Sequence, residues 1–192
     1  MREWIERTIF IPWAAMFGLW AITGSNLKQT AQSRSEGASR ISVWVVWLGW
    51  WLLFAGGFIF RGGPLSWQVI PATSVAACLG LVLTILGLSF AIWARLVIGK
   101  NWSPLIHVKH DHELMQTGPY RIVRHPIYAG LMLSTLGTAI AYGFFSGFIG
   151  FSLVAVAWGY KARLEESVML EQFGHQYDQY RQNVKGLIPW VW

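Results

Sequence analysis

Long apolar blocks separated by short polar stretches dominate this chain, and the apolar residues do not fall into one-sided stripes. A helix needs about 20 predominantly apolar residues to cross a hydrocarbon core ~30 Å thick. Residues 8–23 form a first block at the short end of that range, and residues 41–60 form a second without a charge. Residues 71–94 form a third, with Pro71 placed for a first helical turn. Residues 127–160 then continue without a charge. As one helix this run would be ~50 Å long, too long for the bilayer. Gly143-Phe144-Phe145-Ser146-Gly147 offers a turn inside it. The pattern therefore predicts a tight hairpin, residues 127–142 and 145–160. The fold class expected is an all-α integral membrane protein with about five transmembrane helices, and the first block is expected to be a retained span rather than a cleaved signal peptide.

Charge fixes the orientation of these spans. Twelve Lys and Arg side chains fall on one side of a five-span chain and three (Arg2, Arg7, Arg61) on the other. Such asymmetry places the rich side in the cytoplasm. The loop of residues 95–125 and the tail from Lys161 are both on it. The charged fraction is 12%, against roughly 25% for soluble domains. The net charge of +6 is accounted for by this topology, and no nucleic-acid partner is expected. Cys78 is the single cysteine, so neither an internal disulfide nor a cysteine zinc site can form. Thirteen tryptophans are present, and Trp67, Trp102, Trp158, Trp190 and Trp192 fall near span ends, where interfacial anchoring accounts for them. Trp44, Trp47 and Trp51 lie at helical spacing and suit either packing or lipid. In the tail, Phe173, Tyr177, Tyr180 and Val184 share one helical face. That pattern predicts an amphipathic helix on the cytoplasmic surface, or one capping a pocket made by the loop.

Polar chemistry concentrates in two cytoplasmic segments, residues 101–130 and 161–180. Both flank the predicted hairpin, so Arg124-His125-Pro126 and Arg163-Leu164-Glu165-Glu166 must lie near each other. Gly118-Pro119 marks a turn, and Pro126 can start the next helix. Tyr120, Arg124, His125 and Tyr128 offer hydrogen-bonding and aromatic groups, and Glu165 and Glu166 stand opposite Lys161 and Arg163. A ligand with a cation, an amino-acid end and an aromatic base suits this mixture. His107, His110 and His112 match no familiar zinc spacing, and no metal is expected. Composition alone leaves an enzyme and a passive membrane scaffold both open.

The run His112-Glu113-Leu114, Thr117-Gly118-Pro119-Tyr120, Arg124-His125-Pro126-Ile127-Tyr128-Ala129-Gly130 resembles the isoprenylcysteine carboxyl methyltransferase family. So does the tail, Glu165-Glu166, Phe173-Gly174, Tyr177, Tyr180 and Ile188-Pro189. The resemblance covers about the last 95 residues. It implies two parts: residues 1–95 as three N-terminal spans without a motif of the family, and residues 96–192 as a methyltransferase core with a cofactor loop, the hairpin 127–160 and a C-terminal cytoplasmic helix. The compact chain looks more like prokaryotic members than eukaryotic ones, and phospholipid N-methyltransferases share the general plan.

The resemblance also implies S-adenosylmethionine as cofactor, bound without a Rossmann domain. His107, His112, Glu113, Leu114, Met115, Tyr120, His125, Pro126, Ile127, Tyr128 and Glu165 would form its site. Lys161 or Arg163 would meet the acceptor, an isoprenylcysteine-like carboxylate or other lipophilic or prenylated molecule drawn from the membrane lipid. Glu166, or a histidine, would take a proton if the acceptor were a phospholipid or other amine. Membrane sterol reductases carry a similar Arg-His-Pro-x-Tyr-like stretch, which adds an NADPH-dependent alternative. The expected location is the inner membrane of a bacterial cell, with the site facing the cytoplasm.

Overall fold

The computed structural model describes residues 2–24, 30–33, 36–102, 107–109 and 114–188. The predicted residues His112 and Glu113 lie outside this set, as does His110. The first block becomes α1 (Arg2–Thr8) and α2 (Phe10–Gly24). The division falls where Pro12 removes the amide that would bond Thr8. The second block is α3 (Glu36–Trp51), a wide turn over Leu52–Gly56, and α4 (Gly57–Ile59). The third is α5 (Ser74–Ile98). Pro71 is not in its first turn: Thr73 caps the helix by accepting from the Ala76 amide at 3.2 Å, so α5 begins later than expected.

The hairpin is present as α6 (Pro126–Tyr142) and α7 (Phe145–Phe173), turning at Gly143 with a left-handed φ of 73°. Among the described residues, four helical stretches are long and apolar enough to cross a membrane, and α6, with 17 residues, is a shorter apolar fifth. At 1.5 Å per residue α6 measures ~25 Å and α7 ~43 Å. The uncharged part of α7 ends at Tyr160, and from Lys161 onward the helix carries charged residues. Gly174 breaks it with φ 50°, and α8 (His175–Asn183) follows. Beside this helical body, β1 (Thr30–Ser33) pairs antiparallel with β2 (His107–Lys109). This ribbon joins the connections after the first and third apolar blocks.

Two antiparallel crossings build the body, both made of small residues. On α5 and α6, a Cβ placed on Gly87 would stand 2.5 Å from the Gly130 carbonyl oxygen, and one on Gly130 2.5 Å from that of Gly87. On α3 and α7, a Cβ on Gly49 would stand 2.7 Å from the Gly150 carbonyl oxygen. Lipid tails are as apolar as leucine, so association here depends on close packing and hydrogen bonds rather than on expulsion of water. The bonds are present. Trp13 Nε1 donates to Thr138 Oγ1 at 3.0 Å, and Trp50 Nε1 to Thr135 Oγ1 at 3.1 Å, tying α2 and α3 to α6. Thr84 and Thr138 hydroxyls meet at 3.1 Å across the α5–α6 crossing. Trp44 (73% exposed), Trp47 and Trp51 point outward, toward the place a bilayer occupies, while Trp50 packs inside.

Gly130→Val should cost about 3 kcal/mol or more, because its methyls meet backbone that cannot yield. Thr138→Val should cost about 0.6–2 kcal/mol, and Gly18→Ala, with nothing within 4 Å, close to nothing. Thermal unfolding in nanodiscs checks the order; equal midpoints for Gly130→Val and Gly18→Ala would refute this account of the crossing.

Candidate functional site

One end of the body collects the C-terminus of α5, the N-terminus of α6, the outer half of α7 and the chain after α8. Gly118, at φ 58°, turns the loop into a short 3-10 turn, Gly118–Arg121. His125 then precedes Pro126, which starts α6 as the sequence predicts. The segment between is held by the tail: the Arg124 amide donates to the Lys185 carbonyl at 2.8 Å and the His125 amide to that of Gly186 at 3.0 Å. Tyr180 of α8 donates its hydroxyl to the Tyr120 carbonyl at 2.5 Å, and Tyr177 and Tyr180 are buried. Of the two readings of the amphipathic tail, the capping one describes α8.

The charged residues form a continuous network. His125 places Nδ1 3.5 Å from Glu165 Oε2 and Nε2 3.2 Å from Glu166 Oε1. Arg124 donates through Nε (2.9 Å) and Nη2 (2.5 Å) to the same Glu166 oxygen. Its Nη1 bonds the carbonyls of Arg181, at 3.1 Å, and Val184. Tyr128 donates its hydroxyl to Glu165. Burial disfavours charge on the His125 ring, but its bonds to Glu165 and Glu166 outweigh that and hold its pKa above the ordinary value. Burial likewise pushes the Glu166 carboxyl up, and His125 and Arg124 more than reverse this, holding it at about 2. Glu165 is lowered against its burial, chiefly by the His125 bond. Tyr120 is pushed up by burial, with Glu165 adding to it, so its phenol stays protonated.

The rings form a ladder. His125 stacks on Tyr128 at 5.7 Å and Tyr128 on Trp158 at 4.5 Å, each pair within 7° of parallel. Lys161 Nζ stands 5.7 Å from the Tyr128 ring centre and 5.3 Å from that of Trp158. Tyr120, His125, Pro126, Ile127, Tyr128, Glu165 and Glu166 are thus brought together. Met115 packs against the same core, and Leu114 lies one residue before it, half-buried. His107 is in β2. Lys161 and Arg163, inseparable in the sequence, separate here: Lys161 is 2% exposed against the ladder, whereas Arg163 is exposed on the outer face of α7.

Three features went unassigned in the sequence. Trp158 was assigned to the interfacial belt, although its spacing of three to Lys161 and seven to Glu165 puts all three on one face of α7. Arg124 was recognised as polar but given no partner. Arg95, buried, donates to the Gly99 and Thr23 carbonyls at 2.9 and 3.0 Å and lies 4.5 Å over the Trp102 ring, joining the ends of α2 and α5; no local signal marks it.

Residues 75–176, which contain nearly all of α5, all of α6 and α7, and Arg124, His125, Glu165 and Glu166, match the phospholipid methyltransferase family model. The chain belongs to the phospholipid methyltransferase family. Within this family its similarity extends to isoprenylcysteine enzymes. It is 32% identical over 117 residues to protein-S-isoprenylcysteine O-methyltransferase B of Arabidopsis thaliana, covering 58% of each chain. It is 35% identical over 103 residues to protein-S-isoprenylcysteine O-methyltransferase of Schizosaccharomyces pombe, covering 51% of this chain and 43% of that one. The chain therefore spans about half the length of the curated relatives it matches. A methanethiol S-methyltransferase of Bradyrhizobium diazoefficiens is 35% identical over 72 residues, covering 37% of this chain and 24% of that one. Among solved structures, a eukaryotic intramembrane Ras methyltransferase, isoprenylcysteine carboxyl methyltransferase, superposes with a TM-score of 0.56 and 26% identity, over 82% of this chain and 54% of that one. This family member is an integral membrane protein.

The network has a defined pH window. The raised His125 pKa contributes stability that is complete below about 6.5, the unfolded value, and lost as pH rises through the folded value. The depressed Glu166 pKa contributes stability present above about 4.3, lost as pH falls toward about 2. Thermal midpoints should therefore decline on the alkaline side, and His125→Asn should remove that decline; an unchanged slope would refute the assignment.

Proposed function

We propose that this protein is a membrane-embedded S-adenosylmethionine-dependent methyltransferase acting on the carboxylate of an isoprenylcysteine-like or other lipophilic acceptor. The family supports the reaction class, and the state of the titratable groups favours the acceptor type. An amine acceptor must lose a proton, and a useful base has a pKa near the working pH. Glu166 is held at about 2 by Arg124 and His125, so it is a poor proton acceptor at neutral pH. Both ring nitrogens of His125 already face carboxylates, Glu165 and Glu166. A carboxylate nucleophile needs no base. The phospholipid amine reading, which the family model's description favours, remains the second reading.

The residues present fit the cofactor. Its aromatic base suits the stacked His125 and Tyr128 rings and Met115, and its cationic end suits Glu165, whose charge is offset by His125 and Lys161. Leu114, Tyr120, Pro126 and Ile127 would close the apolar wall, and the family resemblance adds His107, His112 and Glu113. Bound S-adenosylmethionine would supply an electrophilic sulfonium methyl for a carboxylate oxygen, with the electron pair of the broken methyl–sulfur bond left on sulfur. Lys161 orients the acceptor carboxylate at the bilayer edge. Arg124 and Glu166 fix the His125 ring, and His125 fixes Glu165. Catalysis is then mainly positioning of two reactants. Residues 96–192 carry this machinery and residues 1–95 support it from the membrane; the site faces the cytoplasm, across the inner membrane if the cell is bacterial.

Titration calorimetry in nanodiscs should detect S-adenosylhomocysteine binding, and Glu165→Gln should weaken it about tenfold or more, the ~1.4 kcal/mol of one charge-assisted contact. Methyl transfer to N-acetyl-S-farnesyl-L-cysteine should be detectable in the wild type. Folded wild-type protein that does not bind S-adenosylhomocysteine would overturn the proposal.

A further inference from the structure

The Trp158 indole N–H is buried and has no hydrogen-bond partner among the described residues. Trp158 as a whole is 8% exposed, so solvent does not satisfy the donor. A buried unpaired donor costs roughly 1–3 kcal/mol, and in a membrane the bilayer supplies no substitute. The other buried indoles of the body are paired: Trp13 with Thr138 and Trp50 with Thr135. Trp158 alone among these three stands at the end of the apolar run of α7, one turn before Lys161.

Three observations meet at this point. The unpaired donor is fixed in place by a parallel stack on Tyr128 at 4.5 Å. Lys161, 2% exposed, has its ammonium 5.3 Å from the same ring. Glu165, one further turn along, is engaged by Tyr128 and His125. A buried cation beside an unsatisfied N–H is the chemistry of an anion site. Its depth, at the last apolar turn of α7, suits a head group whose tail remains in the bilayer.

We infer that Trp158 is an acceptor-binding and specificity-determining residue, whose indole N–H, together with Lys161, holds the carboxylate of a lipophilic acceptor at the bilayer edge. This rests on the methyltransferase reading for the acceptor's role but not for its binding. A carboxylate accepts one hydrogen bond from Trp158 Nε1 and a second from Lys161 Nζ. A neutral amide of the same shape gains no charge pairing from Lys161, and an ammonium head is repelled by it. The arrangement therefore selects anionic heads over amines. A site built to hydrogen-bond a polar group discriminates strongly, because its own groups are otherwise left unpaired.

The test uses S-adenosylhomocysteine-loaded full-length protein in nanodiscs and two probes, N-acetyl-S-farnesyl-L-cysteine and its primary amide. Wild type should bind the acid at least tenfold more tightly than the amide. Trp158→Phe keeps the ring stack but lacks the donor; it should reduce that ratio at least fivefold while leaving the S-adenosylhomocysteine Kd within twofold. Lys161→Gln should reduce the ratio as well, which keeps the inference testable if the Phe variant does not fold. In turnover, Trp158→Phe should raise the acceptor KM more than it lowers kcat. A wild type that binds acid and amide equally, or a folded Trp158→Phe with an unchanged ratio, overturns the inference. Acid-selective binding without methyl transfer would instead overturn the methyltransferase reading and leave the anion subsite standing.

Discussion

The backbone-to-backbone crossing of α5 and α6 is the constraint on which the site depends. Gly87 and Gly130 meet with no side chain between them, and Gly80 and Gly137 repeat the contact two turns away. A crossing this close fixes the rise and rotation of one helix against the other. The C-terminal end of α5 is therefore beside the first turn of α6. Tyr120 reaches back to the Ala94 carbonyl at 3.4 Å, and Tyr128 stands on the inward face of α6. The second crossing, Gly49 against Gly150, sets α7 in the same way, so Trp158, Lys161 and Glu165 arrive opposite Tyr128 and His125.

Within a body held by packing and Trp–Thr hydrogen bonds, charge is confined to one end. Burying paired ions there is expensive unless every oxygen and N–H finds a partner. The network meets that requirement by sharing: one Glu166 oxygen receives both Arg124 donors and the His125 ring, and the remaining Arg124 group closes on two tail carbonyls. The same bonds that hold the Glu166 carboxylate ionised make it a poor proton acceptor, and they engage both ring nitrogens of His125. Stability of the cluster and preference for an acceptor that needs no base thus have one electrostatic origin.

Aromatic residues serve two separate purposes. Trp44, Trp47 and Trp51 are exposed on α3, whereas Trp13 and Trp50 pack inside and donate to threonines of α6. Trp158 belongs to neither group: it is stacked, buried and unpaired at the depth where apolar α7 becomes charged. A lipophilic acceptor with an acidic head meets there the two environments it needs.

The sequence by itself determined the membrane class, the apolar helices in their order, the hairpin turn at Gly143, the start of α6 at Pro126, and the meeting of His125 with Glu165 and Glu166. These follow from length, local backbone preference and the requirement that both hairpin ends emerge on one side. The helix face that carries a residue was not legible where packing decides it. Lys161 and Arg163 are two positions apart, so they face different sides of α7, and only the α3–α7 and α6–α7 contacts determine that Lys161 turns inward. The partner of Arg124 was hidden because Val184 and Arg181 offer backbone carbonyls, which every residue has. The roles of Trp13, Trp50 and Trp158 were hidden because a hydrogen bond, or the lack of one, depends on what another helix presents at that depth. Local chemistry is written along the chain, but partnership between distant groups exists only once the helices have crossed.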